Sequence, residues 1–170
     1  MKLLSPSLIN SKHQKNKFNC GNIALNVFLQ KYALQNSKNY SSRTYVSICK
    51  NKDRVAGYYS LAYGAISHAE ATEAVKKKMP QYPIPVIILA RLAVDIEYRN
   101  IGLGSALLKD AILRTIEASK IAGLRALVVL AKDIEAKNFY FKYGFEESEL
   151  DEYHLMLSMK DIECTYNLIA

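Results

Sequence analysis

An apolar run that leads through two closely spaced glycines into a helix-like stretch most constrains this fold. Residues 85–94, PVIILARLAV, are rich in branched side chains and predict a central strand buried on both faces. After Gly102 and Gly104, apolar residues recur at helical spacing over 108–116, and Gly123 stands where a helix C-cap is expected. A strand, a glycine loop and a helix in this order predict an α/β protein.

The other segments extend this pattern over the whole chain. Apolar spacing and turn residues predict a helix over 25–33, strands over 43–50, 55–67, 125–131 and 152–160, and a short helix capped by Asp133. The last of these strands alternates as an edge strand does. A chain of 170 residues with these elements is predicted to be a single α/β domain over residues 1–170.

Composition restricts the environment and the partners. The longest uncharged apolar run, VIILA, is too short to cross a bilayer, and the N-terminus lacks the apolar core of a signal peptide. Cys20, Cys49 and Cys164 are far apart and form no CxxC pair, which indicates a reducing cytoplasm and no metal site. The formal charge of +7 favours a polyanionic partner and is also met on ordinary solvated surfaces.

The glycine loop has two interpretations from its residues alone. Backbone N–H groups from Ile101 to Ser105, together with the positive end of the helix dipole, suit a pyrophosphate, and Arg99 adds a charged donor. The spacing is neither GxGxxG nor a Walker A loop, because no third glycine and no GK[ST] follow. A purely structural turn therefore stays open beside the phosphate loop.

A resemblance to a known family bears on this choice. RNIGLG at 99–104 matches the R/Q-x-x-G-x-G/A acyl-coenzyme A signature, and AKNFYFKYGF at 136–145 resembles the second cofactor motif of the GNAT superfamily of N-acetyltransferases. FNCGNIALNVFL, RTYV, GYYSLAYG, PVIILARLAVD and GLGSALLKDA are similar, within residues 18–159, to the GNAT-type toxins of bacterial toxin–antitoxin modules. The resemblance implies the GNAT acyl-CoA N-acyltransferase fold, a mixed central sheet flanked by helices.

The resemblance also implies an activity and its site. Toxins of this group acetylate the amino group of aminoacyl-tRNA with acetyl-CoA and so block translation. By position, it assigns the pantetheine arm to Leu92, Ala93, Val94 and Asn138, and the pyrophosphate to Arg99, Gly102, Leu103, Gly104 and Ser105. Tyr140 matches the tyrosine that protonates the departing thiolate. Helical spacing alone makes Tyr140 a core residue, and Tyr143 is the neighbouring competitor for the acid role.

The chemistry of the acceptor supports an activated amine. A lysine amine, with a pKa near ~10.4, is protonated at neutral pH, whereas an α-amine near ~8 is partly neutral. His13, His68 and His154 offer no obvious base within the motifs, which favours an α-amine such as that of aminoacyl-tRNA. Acetylation of protein N-termini or small amines, and a GNAT-fold binding module without turnover, are the alternatives.

Basic residues and the resemblance together suggest partners. Cations predicted to contact RNA phosphates are Lys12, Lys15, Lys17, Lys31, Lys38, Arg43 and Lys76–Lys78. Arg91, inside an apolar strand, needs either an internal partner or a ligand. The resemblance implies a homodimer and a neutralising antitoxin with a ribbon–helix–helix half, and the strand YHLMLSM is a candidate subunit contact.

Overall fold

The computed structural model describes residues 2–167, and strands from most of this length form one sheet. The predicted domain extends to residue 1 and residues 168–170, which lie outside the described residues. The strands are β1 Ser7–Leu8, β2 Arg43–Cys49, β3 Arg54–Ile66, β4 Ile84–Val94, β5 Ala126–Leu130, β6 Glu146–Glu147 and β7 His154–Ser158. Their order in the sheet is β1-β2-β3-β4-β5-β7-β6.

Helices occupy most of the remaining chain. They are α1 Ile23–Val27, α2 Ala33–Lys38, α3 Glu73–Lys76, α4 Leu103–Ser119, α5 Ile134–Phe141 and α6 Met159–Asn167. A π-helical turn, Phe28–Tyr32, joins α1 to α2, so the helix predicted over 25–33 is not a regular α-helix. No helix of the described residues is long and apolar enough to cross a membrane.

The sheet is mixed. β2 pairs antiparallel with β1 and β3, and β7 pairs antiparallel with β5 and β6. β4 and β5 are parallel, with Val86 opposite Ala126 and Leu89 opposite Val129. Parallel strands need a crossover, which α4 provides. The predicted α/β class with a mixed sheet and helices is confirmed.

The chain divides into two compact units, each with its own core. The first comprises the residues up to Ala62 together with Ala90–Ala111. Phe18, Leu29 and Tyr58 are buried in its core, and the Tyr58 hydroxyl donates to the Leu25 carbonyl at 2.7 Å. This bond satisfies the one polar atom that the Tyr58 ring carries into the core.

The second unit comprises Tyr63–Leu89 together with the residues from Ile112 onward. Its apolar cluster has side chains from four strands and the α3 segment: Ile66, Ala71, Val75, Ile84, Val86, Ala126, Val128 and Met156. Alternate residues of β4 and β5 contribute to it, as the two-residue period of a strand requires.

Three predictions about elements are wrong in detail. β4 is not buried on both faces, because Pro85 and Ala90 are exposed. β7 is not an edge strand, since it lies between β5 and β6, and its residues from Leu155 to Ser158 are buried within the chain. α4 ends at Ser119, four residues before Gly123, which is not among the glycines with positive φ.

Candidate functional site

The glycine loop begins at a buried carboxylate. Asp95 follows β4 directly and is fully buried, and its side chain accepts from the Asn19 N–H at 3.0 Å, the Glu97 N–H at 2.9 Å and the Arg54 guanidinium at 2.8 Å. The bond to Glu97 caps the 3₁₀ turn Ile96–Tyr98. A carboxylate with three donors fixes the direction in which the chain leaves the strand.

Gly102 ends the loop and begins α4. Its φ is +83°, a conformation that L side chains rarely adopt, and an added Cβ would have no atom within 4 Å. The glycine is therefore required by the backbone conformation, and the space beside it is open. The first intrahelical bond runs from the Ala106 N–H to the Gly102 carbonyl at 3.1 Å. This leaves the amides of Leu103, Gly104 and Ser105 as the first-turn donors that helices present to anions.

Arg99 lies in the same loop and is exposed. Its guanidinium donates to the Cys20 carbonyl, and its Nη2 lies 3.5 Å from the Cβ position of Gly21, which also has φ +83°. This bond ties the loop to the segment before α1 while the side chain stays at the surface. A guanidinium has five N–H donors, so one bond to a carbonyl leaves donors for an anion.

The strand residues predicted to bind pantetheine form the end of β4. Ala93 is buried in the core of the first unit, and Leu92 and Val94 are half-buried. The parallel register with β5 covers Val86–Leu89, so all three residues lie beyond its last pair. A strand that continues past its register offers backbone groups to an extended ligand.

α5, in the second unit, carries the other two predicted residues. The Asp133 side chain accepts from the Ala136 N–H at 2.8 Å, which confirms the predicted N-cap. Asn138 is exposed on this helix, and Tyr140 is buried. The helix therefore presents the amide side chain to solvent and packs the tyrosine ring inward.

The Tyr140 ring is held by aromatic neighbours. Only 6% of the residue is exposed, and its ring centroid lies 5.1 Å from Phe139 and 5.3 Å from Phe145. Burial raises the pKa of the Tyr140 hydroxyl above its usual value, so the group carries its proton at neutral pH. A buried, protonated phenol is a proton donor with a fixed position.

Tyr143 differs from Tyr140 in exposure. It is 37% exposed, its ring contacts Phe139 at 5.3 Å, and its N–H bonds the Tyr140 carbonyl at 3.0 Å. Gly144, which follows it, has φ +88° and ends the α5 turn. Tyr143 thus lies at the open end of the helix.

Sequence reasoning missed Lys137, one turn before Phe141. Its ammonium lies 2.8 Å from Glu147 and 3.5 Å from Glu152, and only 4% of the residue is exposed. The rings of Phe141 and Tyr153 lie 5.4 and 5.2 Å from it. The hydrogen bond to Glu147 raises the pKa of Lys137. A lysine on a helix carries no local signal for such a buried cage.

Part of the predicted basic cluster shares one cleft. Lys12, Lys15 and Lys17 line a cavity of about 640 Å³ with Lys52 and Arg54. Arg43 lies elsewhere, over the Tyr40 ring at 4.8 Å, and Lys31 and Lys38 do not line the cleft. Burial, and to a smaller extent Lys15, lower the pKa of His13, which also lines the cavity.

Arg91 has an internal partner. Its guanidinium carbon lies 3.7 Å from the centroid of the Phe28 ring, which is buried. Cation–π contact with a ring at this distance offsets part of the cost of placing a charge in an apolar strand. Of the two predicted alternatives, the structure supports the internal one.

Comparison with known proteins identifies the family. The model of the acetyltransferase (GNAT) domain matches residues 42–147, which include both glycines and Tyr140. The chain belongs to the GNAT acetyltransferase family. It is 44% identical over 157 residues to a tRNA-acetylating toxin of Mycobacterium tuberculosis, a match that covers 92% of this chain and 93% of the relative.

Solved structures have the same fold. AtaT complexed with acetyl-methionyl-tRNAfMet matches with a TM-score of 0.89 at 28% identity, covering 97% of this chain and 99% of that one. AtaTR bound with AcCoA matches with a TM-score of 0.82 at 28% identity, covering 96% and 98%. The predicted GNAT fold is thereby confirmed.

Proposed function

We propose that this acetyltransferase transfers the acetyl group of acetyl-CoA to the amino group of aminoacyl-tRNA and acts as a translation-blocking toxin. The observation that carries the proposal is the 44% identity to a tRNA-acetylating toxin over 92% of the chain. The likeness to AtaT complexed with acetyl-methionyl-tRNAfMet, over 97% of the chain, supports the same substrate class.

The loop before α4 suits the diphosphate of acetyl-CoA. Gly102 at φ +83° opens onto free space, and the amides of Leu103, Gly104 and Ser105 begin a helix of 17 residues, whose dipole favours an anion. Arg99 supplies a surface guanidinium beside these amides in sequence. In the proposal, the backbone of Leu92, Ala93 and Val94 pairs with the pantetheine arm, and Asn138 contacts the same arm.

Tyr140 is the proposed general acid. The amine nitrogen of the acceptor bonds to the thioester carbonyl carbon, the carbon–sulfur bond breaks, and the thiolate takes the phenolic proton of Tyr140. The proton lost by the amine restores the charge balance through solvent. Because burial raises the pKa of Tyr140, the phenol keeps its proton until the thiolate forms.

The described histidines support an acceptor that needs little deprotonation. His13 accepts from the Asn10 N–H at 3.1 Å, and His154 lies 3.5 Å from Glu70. An α-amine with a pKa near ~8, lowered further by the adjacent ester, is largely neutral at physiological pH. This favours aminoacyl-tRNA over a lysine side chain.

The direct test offers three acceptors to the enzyme with radiolabelled acetyl-CoA. Charged tRNA should accept label, and deacylated tRNA, peptides with free N-termini and polyamines should not. Label on peptides or polyamines with none on charged tRNA would support the alternative of a protein or small-amine acetyltransferase. Label on no acceptor, with acetyl-CoA still bound, would support a binding module without turnover.

We propose the partners by the same route. Structures of AtaT bound to the C-terminus of the antitoxin AtaR match at 27% identity with a TM-score of 0.82, covering 96% of this chain and 98% of that one. We expect a neutralising antitoxin with a ribbon–helix–helix half, a homodimer, and action in the cytoplasm. Expression with and without the neighbouring gene, with growth and translation as readouts, tests the antitoxin, and light scattering at micromolar concentration tests the dimer.

A further inference from the structure

A second basic pocket lies in the second unit, outside the residues assigned to acetyl-CoA. Its volume is about 180 Å³, and it is lined by Ala74, Lys77, Lys78, Arg125, Ser158 and Lys160. It adjoins the start of β4, because the Arg125 N–H bonds the Pro85 carbonyl at 2.9 Å, whereas the glycine loop follows the end of that strand.

Arg125 builds the wall of this pocket. Its Nε donates to the Val75 carbonyl and its Nη2 to the Lys77 carbonyl, both at 3.0 Å. These bonds hold the turn after α3, where Lys78 has φ +62°. Both acceptors are neutral, so the guanidinium charge is positioned without being neutralised.

The opposite wall is the start of α6. The Ser158 hydroxyl accepts from the Asp161 N–H at 3.1 Å and caps this nine-residue helix, and the Met159 N–H bonds the Arg125 carbonyl at 2.8 Å. Ser158 is buried and is therefore fixed in place. The next residue but one, Lys160, is exposed and lines the pocket.

The pocket carries uncompensated positive charge. No carboxylate is among its lining residues, and within residues 2–167 none of Lys77, Lys78, Arg125 and Lys160 forms an ion pair. Lys76, in the same basic run, pairs with Glu73 at 3.2 Å and does not line the pocket. Four cations around one hydroxyl have the chemistry of a phosphate site.

We infer that this pocket binds a phosphate of the tRNA sugar–phosphate backbone, and this rests on the proposed function. Its volume is below the 300–1,000 Å³ typical of small-molecule sites, which suits a phosphate better than a whole cofactor. No aromatic side chain lines it, so no base stacks there, and the contact is independent of sequence.

The test removes two of the charges while keeping side-chain length. Lys77→Gln/Lys160→Gln is compared with wild type and with Lys50→Gln/Lys120→Gln, a pair of exposed lysines away from the pocket that changes the net charge equally. Affinity for tRNA is measured by fluorescence anisotropy from 50 to 200 mM salt. The pocket variant should reduce the salt slope by about 2, so that its deficit relative to wild type narrows about tenfold over this range. The surface pair should keep the wild-type slope.

Three further measurements separate the possible failures. Thermal unfolding checks that the variant is folded, and Lys78→Gln/Lys160→Gln is the second variant if it is not. Acetyl-CoA affinity should equal that of wild type. If wild type acetylates charged tRNA but the pocket variant keeps its tRNA affinity and slope, the phosphate pocket is refuted and the proposed function stands. If the two double variants lose affinity equally, the effect is net charge and the pocket is again refuted. If wild type acetylates no charged tRNA, the proposed function itself fails.

Discussion

Arg54 reaches from the start of β3 to the buried carboxylate of Asp95, and its Nη2 lies 2.8 Å from Oδ2. The same guanidinium donates to Glu97 at 2.9 Å through Nη1. Asp95 and Glu97 flank the first residue of the 3₁₀ turn, so one arginine secures the point at which the chain leaves β4 for the glycine loop. The geometry of the proposed diphosphate site thus depends on an ion pair outside it.

Asp95→Asn should destabilise the protein by about 3 kcal/mol. The substitution leaves Arg54 partly buried beside a neutral group, and breaking a buried pair from one side typically costs ~3–5 kcal/mol. Denaturant unfolding measures the loss. Acetyl-CoA affinity should fall as well, because the amides of the loop lose their fixed direction.

Glu97→Gln is the matched control, since it removes the other partner of the same arginine. The Glu97 side chain is 53% exposed, and exposed pairs contribute about 0–1 kcal/mol. Equal losses for the two variants would contradict the anchoring role of Asp95.

Gly104→Glu should weaken acetyl-CoA binding by orders of magnitude while the fold survives. Gly104 lies in the first turn of α4, where a carboxylate suits the helix dipole and repels a diphosphate. Calorimetry measures the affinity. Gly123→Glu is the control, because it adds the same charge where an introduced Cβ has no atom within 4 Å. Unchanged affinity for Gly104→Glu would mean that the glycine pair serves only as a turn.

The Lys137 cage should give the protein a specific alkaline sensitivity. The hydrogen bond to Glu147 raises the pKa of Lys137 above 10.5, so its contribution is complete below the unfolded pKa and is lost as pH rises through the folded one. The difference in unfolding free energy between wild type and Lys137→Met should therefore be constant from pH 7 to 9 and shrink above about pH 10.5. Lys120→Met, which breaks an exposed pair with Glu117, should give a small difference that does not change with pH. A constant difference for Lys137→Met through pH 11 would argue against the cage.

Features with a local signal could be predicted from the sequence. The Asp133 cap and the glycine loop follow from side-chain chemistry within a few residues, and the strands β2 and β3 follow from alternation. The GNAT fold followed from motif resemblance, because its signature occupies consecutive positions.

Features that depend on distant pairing could not be predicted. Arg54 and Asp95 are 41 residues apart, and the cation–π pair joins Arg91 to Phe28 in another element. The strand predicted over 152–160 alternates, but its edge position was wrong because the two-residue β6 pairs with it. The pocket around Arg125 likewise combines residues from three separate segments.

Tyr140→Phe separates catalysis from packing. The substitution keeps the ring against Phe139 and Phe145 and removes only the hydroxyl. If that hydroxyl protonates the leaving thiolate, the variant should bind acetyl-CoA normally and transfer acetyl to charged tRNA about 10²–10⁴-fold more slowly, since general acids contribute that much. Single-turnover assays measure the rate, and the variant should no longer arrest growth in cells.

Tyr143→Phe is the matched control one turn along the chain. Because Tyr143 is 37% exposed at the end of α5, its loss should leave the transfer rate close to that of wild type. If instead Tyr143→Phe is slow and Tyr140→Phe is fast, the acid is Tyr143. If Tyr140→Phe changes only the unfolding free energy, Tyr140 is a core residue, and if both variants stay fully active and toxic, no tyrosine of α5 protonates the thiolate.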